Sequence, residues 1–186
     1  MEISFESNIR EWERSLTHVQ REQVPFATAL ALSDTARYDV KPAIEQRMEV
    51  AFDRPTPFTK RGVAYRTANK HTLVARVFIM DIQQRYLAIE EFGGIRRPEG
   101  RALVVPVGQR VNQYGNLPRG TVQKLLARSD TFSGRINGTG GIWQRKSGNR
   151  LKLLIAWQDT ARYRPLFRFF ETAKRTAELH FPRRFT

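Results

Sequence analysis

The stretch from Pro25 to Pro57, PFATALALSDTARYDVKPAIEQRMEVAFDRPTP, constrains the fold more than any other part of the chain. Phe26, Ala29, Leu30, Ser33, Ala36, Val40, Ile44, Met48 and Ala51 recur at steps of three and four. That spacing draws one small or apolar stripe along a helix. Pro25 suits a first helical turn, where its missing N–H is not needed. Pro55 and Pro57 stop the helix, because each lacks a donor and pushes the preceding residue out of the helical region. Pro42 interrupts the pattern. An interior proline costs about 3 kcal/mol, which predicts either a kink near Tyr38–Lys41 or two helices with Asp39 capping the second. A stripe of this length cannot bury against itself, so the rest of the chain must cover it.

Ahead of the stripe, Ile9, Trp12, Leu16 and Val19 or Gln20 make a short amphipathic helix over Asn8–Gln20, with Ser7 or Asn8 as its cap. Ile3 and Phe5 read as a short strand or a loose arm. Residues 1–24 are thus an arm and short helix whose Ile3, Phe5 and Trp12 either clasp a neighbouring subunit or fold back onto the chain's own core. Downstream, Thr72–Ile82 is rich in β-branched and aromatic residues and reads as a strand. Arg85–Phe92 reads as a strand or as a short helical turn running into Gly93-Gly94. Ala102–Val107 is a strand that Pro106 restricts to an edge or an end. Thr121–Arg128 places Val122, Leu125 and Leu126 on one face of a short helix. Ser129–Gly141 reads as a mobile loop. Gly141–Arg145 and Leu151–Trp157 flank the basic tip Lys146–Arg150 and form a β-hairpin. Pro165 opens a last helix that runs to His180 and ends at Pro182. The fold expected is α+β. Residues 25–186 form one domain in which a kinked long N-terminal helix and a C-terminal helix pack on a small antiparallel sheet with a β-hairpin.

Charge narrows the function. Lys and Arg number 32 against 18 Asp and Glu, a formal +14. Met1–Ala51 holds 9 acids and 6 bases, a net −3, so Phe52–Thr186, with 9 acids and 26 bases, carries +17. Most of these cations are Arg, whose planar fork pairs with phosphate and carboxylate. The partner expected is a nucleic acid or an acidic protein surface. There is no Cys, which excludes disulfides, thiolate metal sites and a thiol nucleophile. No apolar run approaches the ~20 residues of a membrane span. The start, MEISFESNIREWE, lacks a signal peptide's basic-then-apolar order, which predicts a cytoplasmic protein.

No catalytic constellation stands out. His18, His71 and His180 sit in separate elements without metal-ligand spacing. There is no Gly-x-Ser-x-Gly elbow, and the glycines of Gly134–Gly141 do not fit a Walker or dinucleotide pattern. Glu90 and Glu91 are adjacent, so a strand would send them to opposite faces. The expectation is a protein that is not an enzyme and needs no metal or cofactor.

The order of several segments resembles a family of tailed-bacteriophage virion proteins of the minor tail protein Z type, components of tail completion or head–tail joining. The segments are Ala29–Ala36, Phe52–Thr59, Ala68–Val77, Tyr114–Gly120, Gly141–Arg145 and Tyr163–Phe170, which together span most of the chain. Pro42 and the short connection between Arg128 and Gly141 depart from the family's pattern. The resemblance implies a structural subunit of a homo-oligomeric ring in the virion neck or tail, assembled in the host cytoplasm. Its partners would be adjacent head–tail connector and tail proteins and packaged double-stranded DNA. The cations placed to face a DNA channel are Arg96, Arg97 and Arg101 in one loop, Arg119, Lys124 and Arg128 on the short helix, and Arg145, Lys146 and Arg150 around the hairpin tip. A sequence-nonspecific nucleic-acid-binding protein outside any virion is the alternative, and an uncharacterised hydrolase, for which only scattered acids speak, is a third.

Overall fold

The computed structural model describes residues 1–6 and 18–185. The chain divides into two compact units, one built from Met1–Phe92 and Pro165–Thr186, the other from Gly93–Arg164. Sequence reading draws residues 25–186 as one domain. Along the chain, the second unit lies between the two parts of the first.

Unit 1 is built on a three-stranded antiparallel sheet of order β1-β3-β2: β1 (Glu2–Glu6), β2 (Val63–Arg66) and β3 (Val74–Ile79). The central strand alternates as a half-buried strand should, with Ala75, Val77 and Ile79 buried. β1 pairs along its whole length with β3, from Glu2 opposite Phe78 to Glu6 opposite Val74. The N-terminal arm is therefore a strand of this unit's own sheet. Ile3 packs against its core, and Phe5 stands in register with Ala75. Trp12 and most of the expected Asn8–Gln20 helix lie outside the described residues.

Over this sheet runs α1 (His18–Asp34), a π-helical segment (Thr35–Val40) and α2 (Lys41–Ala51). Pro25 lies inside α1 rather than opening it, because the residues before it are already helical. Pro42 falls directly after the π segment, where the chain is already helical, so it has no N–H to give to the preceding turn. The strain of placing a proline mid-run is taken up upstream: the Lys41 N–H reaches back five residues to the Ala36 carbonyl, the wider π spacing. The expected kink is thus a π segment, and Asp39 caps nothing. Its carboxylate instead accepts two bonds from Arg184, Nε–Oδ2 3.0 Å and Nη2–Oδ1 3.0 Å, and lies 3.4 Å from His180 Nδ1.

The π segment also rephases the helix. The buried residues Leu32, Ala36, Val40, Ile44 and Met48 follow at steps of four, a spacing that drifts about 40° per step on a pure α-helix. An extra residue in one turn corrects about 100° of that drift. The correction has a consequence at the other end. Phe26 and Ile44 are about five α-turns apart and would share a face on an unbroken helix. Phe26 and Leu30 are instead 63% and 53% exposed, while Thr28, Ala29 and Leu32 face the core.

The remaining elements of unit 1 are α3 (Pro57–Lys60), α4 (Asp81–Phe92) and α6 (Phe169–Phe185). β3 ends at Ile79, before the expected Ile82, because α4 starts at Asp81. Arg85–Phe92 is helical, which settles that ambiguity. Pro165 does not open the last helix. Pro165–Arg168 forms a strap pinned by Arg47, which donates to the Leu166 carbonyl and to the Phe167 carbonyl at 2.9 Å. The Leu166 and Phe167 N–H groups bond Glu90 O at 2.8 and 3.0 Å. Arg168 takes a left-handed φ of 54°, and α6 then starts under the Glu91 carboxylate, which accepts from the N–H groups of Phe169 (2.7 Å) and Phe170 (3.3 Å). Pro182 lies within α6, which continues to Phe185. Phe167, Phe169, Ala173 and Ala177 complete the core.

Unit 2 holds a four-stranded antiparallel sheet of order β5-β8-β7-β6 and a two-stranded ladder of β4 (Gly94–Arg96) with β9 (Ala161–Tyr163). The larger sheet comprises β5 (Leu103–Pro106), β6 (Thr131–Ile136), β7 (Thr139–Arg145) and β8 (Leu151–Gln158). β5, with Pro106, is an edge strand, as proline demands. The β7–β8 hairpin is the one expected. Ser129–Gly141 is not a mobile loop: β6 and β7 form a second hairpin turning at Asn137-Gly138, both with positive φ (47° and 79°). That pair is the standard signal for a tight two-residue turn whose twist matches its strands. α5 (Thr121–Leu126) covers one face of the sheet, where Leu125, Ile142, Leu154 and Ile155 form a small core. The fold is α+β as expected, with the long helices and the β1-β3-β2 sheet in unit 1, and Ala102–Val107 and the β7–β8 hairpin in the separate four-stranded sheet of unit 2.

Candidate nucleic-acid interface

All nine cations singled out in the sequence belong to unit 2, and all are exposed. Gly93–Arg164 contains 14 basic and 3 acidic residues, a net +11; the rest of the chain has 18 against 15, a net +3. Sequence reading starts the basic region at Phe52. The step in charge lies at Gly93, where the fold changes units.

Each group has a backbone reason for its place. Arg145, Lys146 and Arg150 sit at the end of the β7–β8 hairpin, closed by Lys146 N–H to Arg150 O at 2.8 Å. Gly148 and Asn149 take φ of 70° and 56° in the turn. The Arg150 Nε donates to Ser147 O at 3.2 Å and the Arg145 guanidinium lies 4.5 Å from the centre of the Phe132 ring. Arg119 precedes α5 and Lys124 lies on it. Arg128 follows it and donates to Asp130 at 2.9 and 2.6 Å. Arg96 is in β4, and Arg97 and Arg101 are in the connection to β5. Arg110, Arg135, Lys152, Arg162 and Arg164 add exposed charge in the same unit. A count confined to Gly93–Arg164 would have found them.

Few anions oppose these cations. Asp130 is held by Arg128 and by Gln144 Nε2 at 2.7 Å, and these bonds lower its pKa from 3.8 to about 2. Glu99 and Asp159 are exposed. Among the described residues, Arg128 is the one cation of unit 2 within an ion pair. Exposed guanidinium groups without carboxylate partners keep their donors for a phosphate.

A groove of about 580 Å³ beside β5 is lined by Val104, Pro106, Leu117, Val122 and small polar residues, none of them titratable. Among the described residues there is no cluster of three or more His, Asp or Glu spaced for a metal ion, and no helix long and apolar enough to cross a membrane. Compared with known proteins, the chain matches no family model, no curated protein and no solved structure.

Proposed function

We propose that the protein is a non-enzymatic structural subunit of a bacteriophage neck or tail, of the tail-completion or head–tail connector kind, that lines or caps the DNA channel. The observation that carries the polyanion-facing part of this reading is the concentration of +11 in one 72-residue unit whose cations, Arg128 apart, have no carboxylate partner among the described residues. The virion and the ring are carried by the ordered resemblance of Ala29–Ala36 through Tyr163–Phe170. In a ring, repetition of the unit 2 cations around the axis adds up to a collar of positive potential. A moving duplex requires contacts to phosphate and not to bases.

Electron microscopy of the purified protein tests the assembly, with closed rings the expected result. The triple charge reversal R145E/K146E/R150E tests the channel, with particles that assemble but retain or eject DNA abnormally in a salt-dependent way. Particles that fail to assemble would make the hairpin tip a protein–protein contact. A monomer that binds free duplex DNA tightly, with affinity falling steeply in salt, favours the second reading, a sequence-nonspecific nucleic-acid-binding protein.

A further inference from the structure

The four-stranded sheet of unit 2 has a second face, and its residues are not those of a solvated surface. Phe132, Trp143 and Leu153 stand opposite one another on β6, β7 and β8, one row across three strands. The next row holds Arg145 opposite Leu151, and the row on the other side is Gly134 opposite Gly141. Ile142 and Ile155 point the other way, into the core beneath α5. Phe132, Trp143 and Leu153 belong to no core cluster and are half-buried.

The glycine row sets the shape of this face. Trp143 Nε1 donates to Gly134 O at 3.2 Å. The indole is thus tied to the neighbouring strand beside residues without side chains, and it is half-buried. The Phe132 ring comes within 3.3 Å of where a Cβ on Gly134 would sit, and Leu153 Cδ1 within 2.7 Å of one on Gly141. Arg145 lies over the Phe132 ring, and Lys146 and Arg150 are exposed at the adjoining tip. The nearby Asp130 carboxylate is already engaged by Arg128 and Gln144.

Flat aromatic rings beside unpaired cations suit one ligand in particular. Every base has a π-face that can stack on an aromatic ring or a guanidinium plane, while cations follow the phosphates. In a duplex those base faces are covered by their neighbours. We infer that the Phe132–Trp143–Arg145 face binds single-stranded nucleic acid by stacking its unpaired bases, with Lys146 and Arg150 pairing to phosphate. This inference rests on the proposed reading that unit 2 contacts nucleic acid.

The test is fluorescence anisotropy of the full chain with a labelled oligothymidine strand and with a duplex of equal length. The strand binds more tightly than the duplex and quenches tryptophan emission in the unsubstituted protein, a signal that needs no variant. Phe132→Leu and Trp143→Leu each weaken strand binding by about 5- to 100-fold and leave duplex binding unchanged, which also verifies that the variants are folded. Trp143→Phe keeps a ring and recovers most of the affinity. Equal affinity for strand and duplex, unaltered by Phe132→Leu, overturns the stacking face and leaves the phosphate-contact reading standing. Absence of binding to either probe at low salt overturns both.

Discussion

Unit 1 buries Phe167, Phe169, Leu32, Ile44, Met48, Val77 and Ile79 in one core, whereas unit 2 has four buried residues, Leu125, Ile142, Leu154 and Ile155, in its own. Their charges differ in the same sense. Unit 1 pairs its charges internally: Lys41 with Glu45, Lys60 with Glu49, Arg76 with Glu2 and Arg184 with Asp39. Unit 2 has 3 acids for 14 bases and pairs one of them. A large apolar core tolerates a surface tuned for self-consistency. A small sheet whose cations repel one another loses stability to that repulsion unless an external anion relieves it. The contrast separates a unit with a large core and paired charges from a unit with a small core and cations that mostly lack carboxylate partners among the described residues.

The sharpest way to break this contrast is in the core of unit 1. Phe169→Ala removes a fully buried ring and is expected to cost about 3–5 kcal/mol in chemical denaturation, whereas Leu30→Ala, 53% exposed, stays within about 0.5 kcal/mol of the parent. Comparable losses at both positions would mean that the π segment does not rotate Leu30 off the core face. Next in size, Ile142→Ala in the smaller core should cost about 2–5 kcal/mol. Adding a polyanion such as heparin should offset part of that loss, because an anion bound to the folded unit makes its unfolding more costly. If heparin raises the melting temperature of neither protein, the charge of unit 2 is not a liability that a partner relieves.

A smaller effect sharpens the account of the strap. Glu91 accepts the first N–H groups of α6, so Glu91→Ala should lose about 1–2 kcal/mol. Hydrogen exchange at Phe169 and Phe170 should speed up selectively, and unchanged protection there would remove Glu91 from the role of cap. The smallest effect is acid-dependent. The Asp130 pKa is lowered to about 2 in the folded protein, first by Arg128 and then by Gln144. Its contribution is therefore present above the ordinary 3.8 and is lost as pH falls from there toward 2. Asp130 is exposed to water, so the effect is a slight steepening of acid unfolding that Asp130→Asn removes. An identical acid profile in the variant would show that the Arg128–Asp130–Gln144 bonds add no stability.

Local patterns determined the long helical run, the β7–β8 hairpin, the edge placement of Pro106 and the basic character of the second half. Each depends on neighbours in the chain: periodicity, turn chemistry, a missing donor, or a sum of charges. The Asn137-Gly138 turn was equally local; the glycines around it read as looseness although the pair specifies a hairpin. Other features required the tertiary fold. Whether α6 begins at Pro165 or Phe169 depends on a carboxylate at Glu91, remote in sequence and brought near only by folding. Which of Phe26, Leu30 and Leu32 faces the core depends on how the π segment turns the helix before it meets β3. The boundary between the charge-balanced and the charge-rich unit lies at Gly93 because the chain leaves unit 1 at Phe92 and re-enters it at Pro165. Such features are properties of contacts between distant residues, and a periodicity along the chain carries no record of which distant partner will be met.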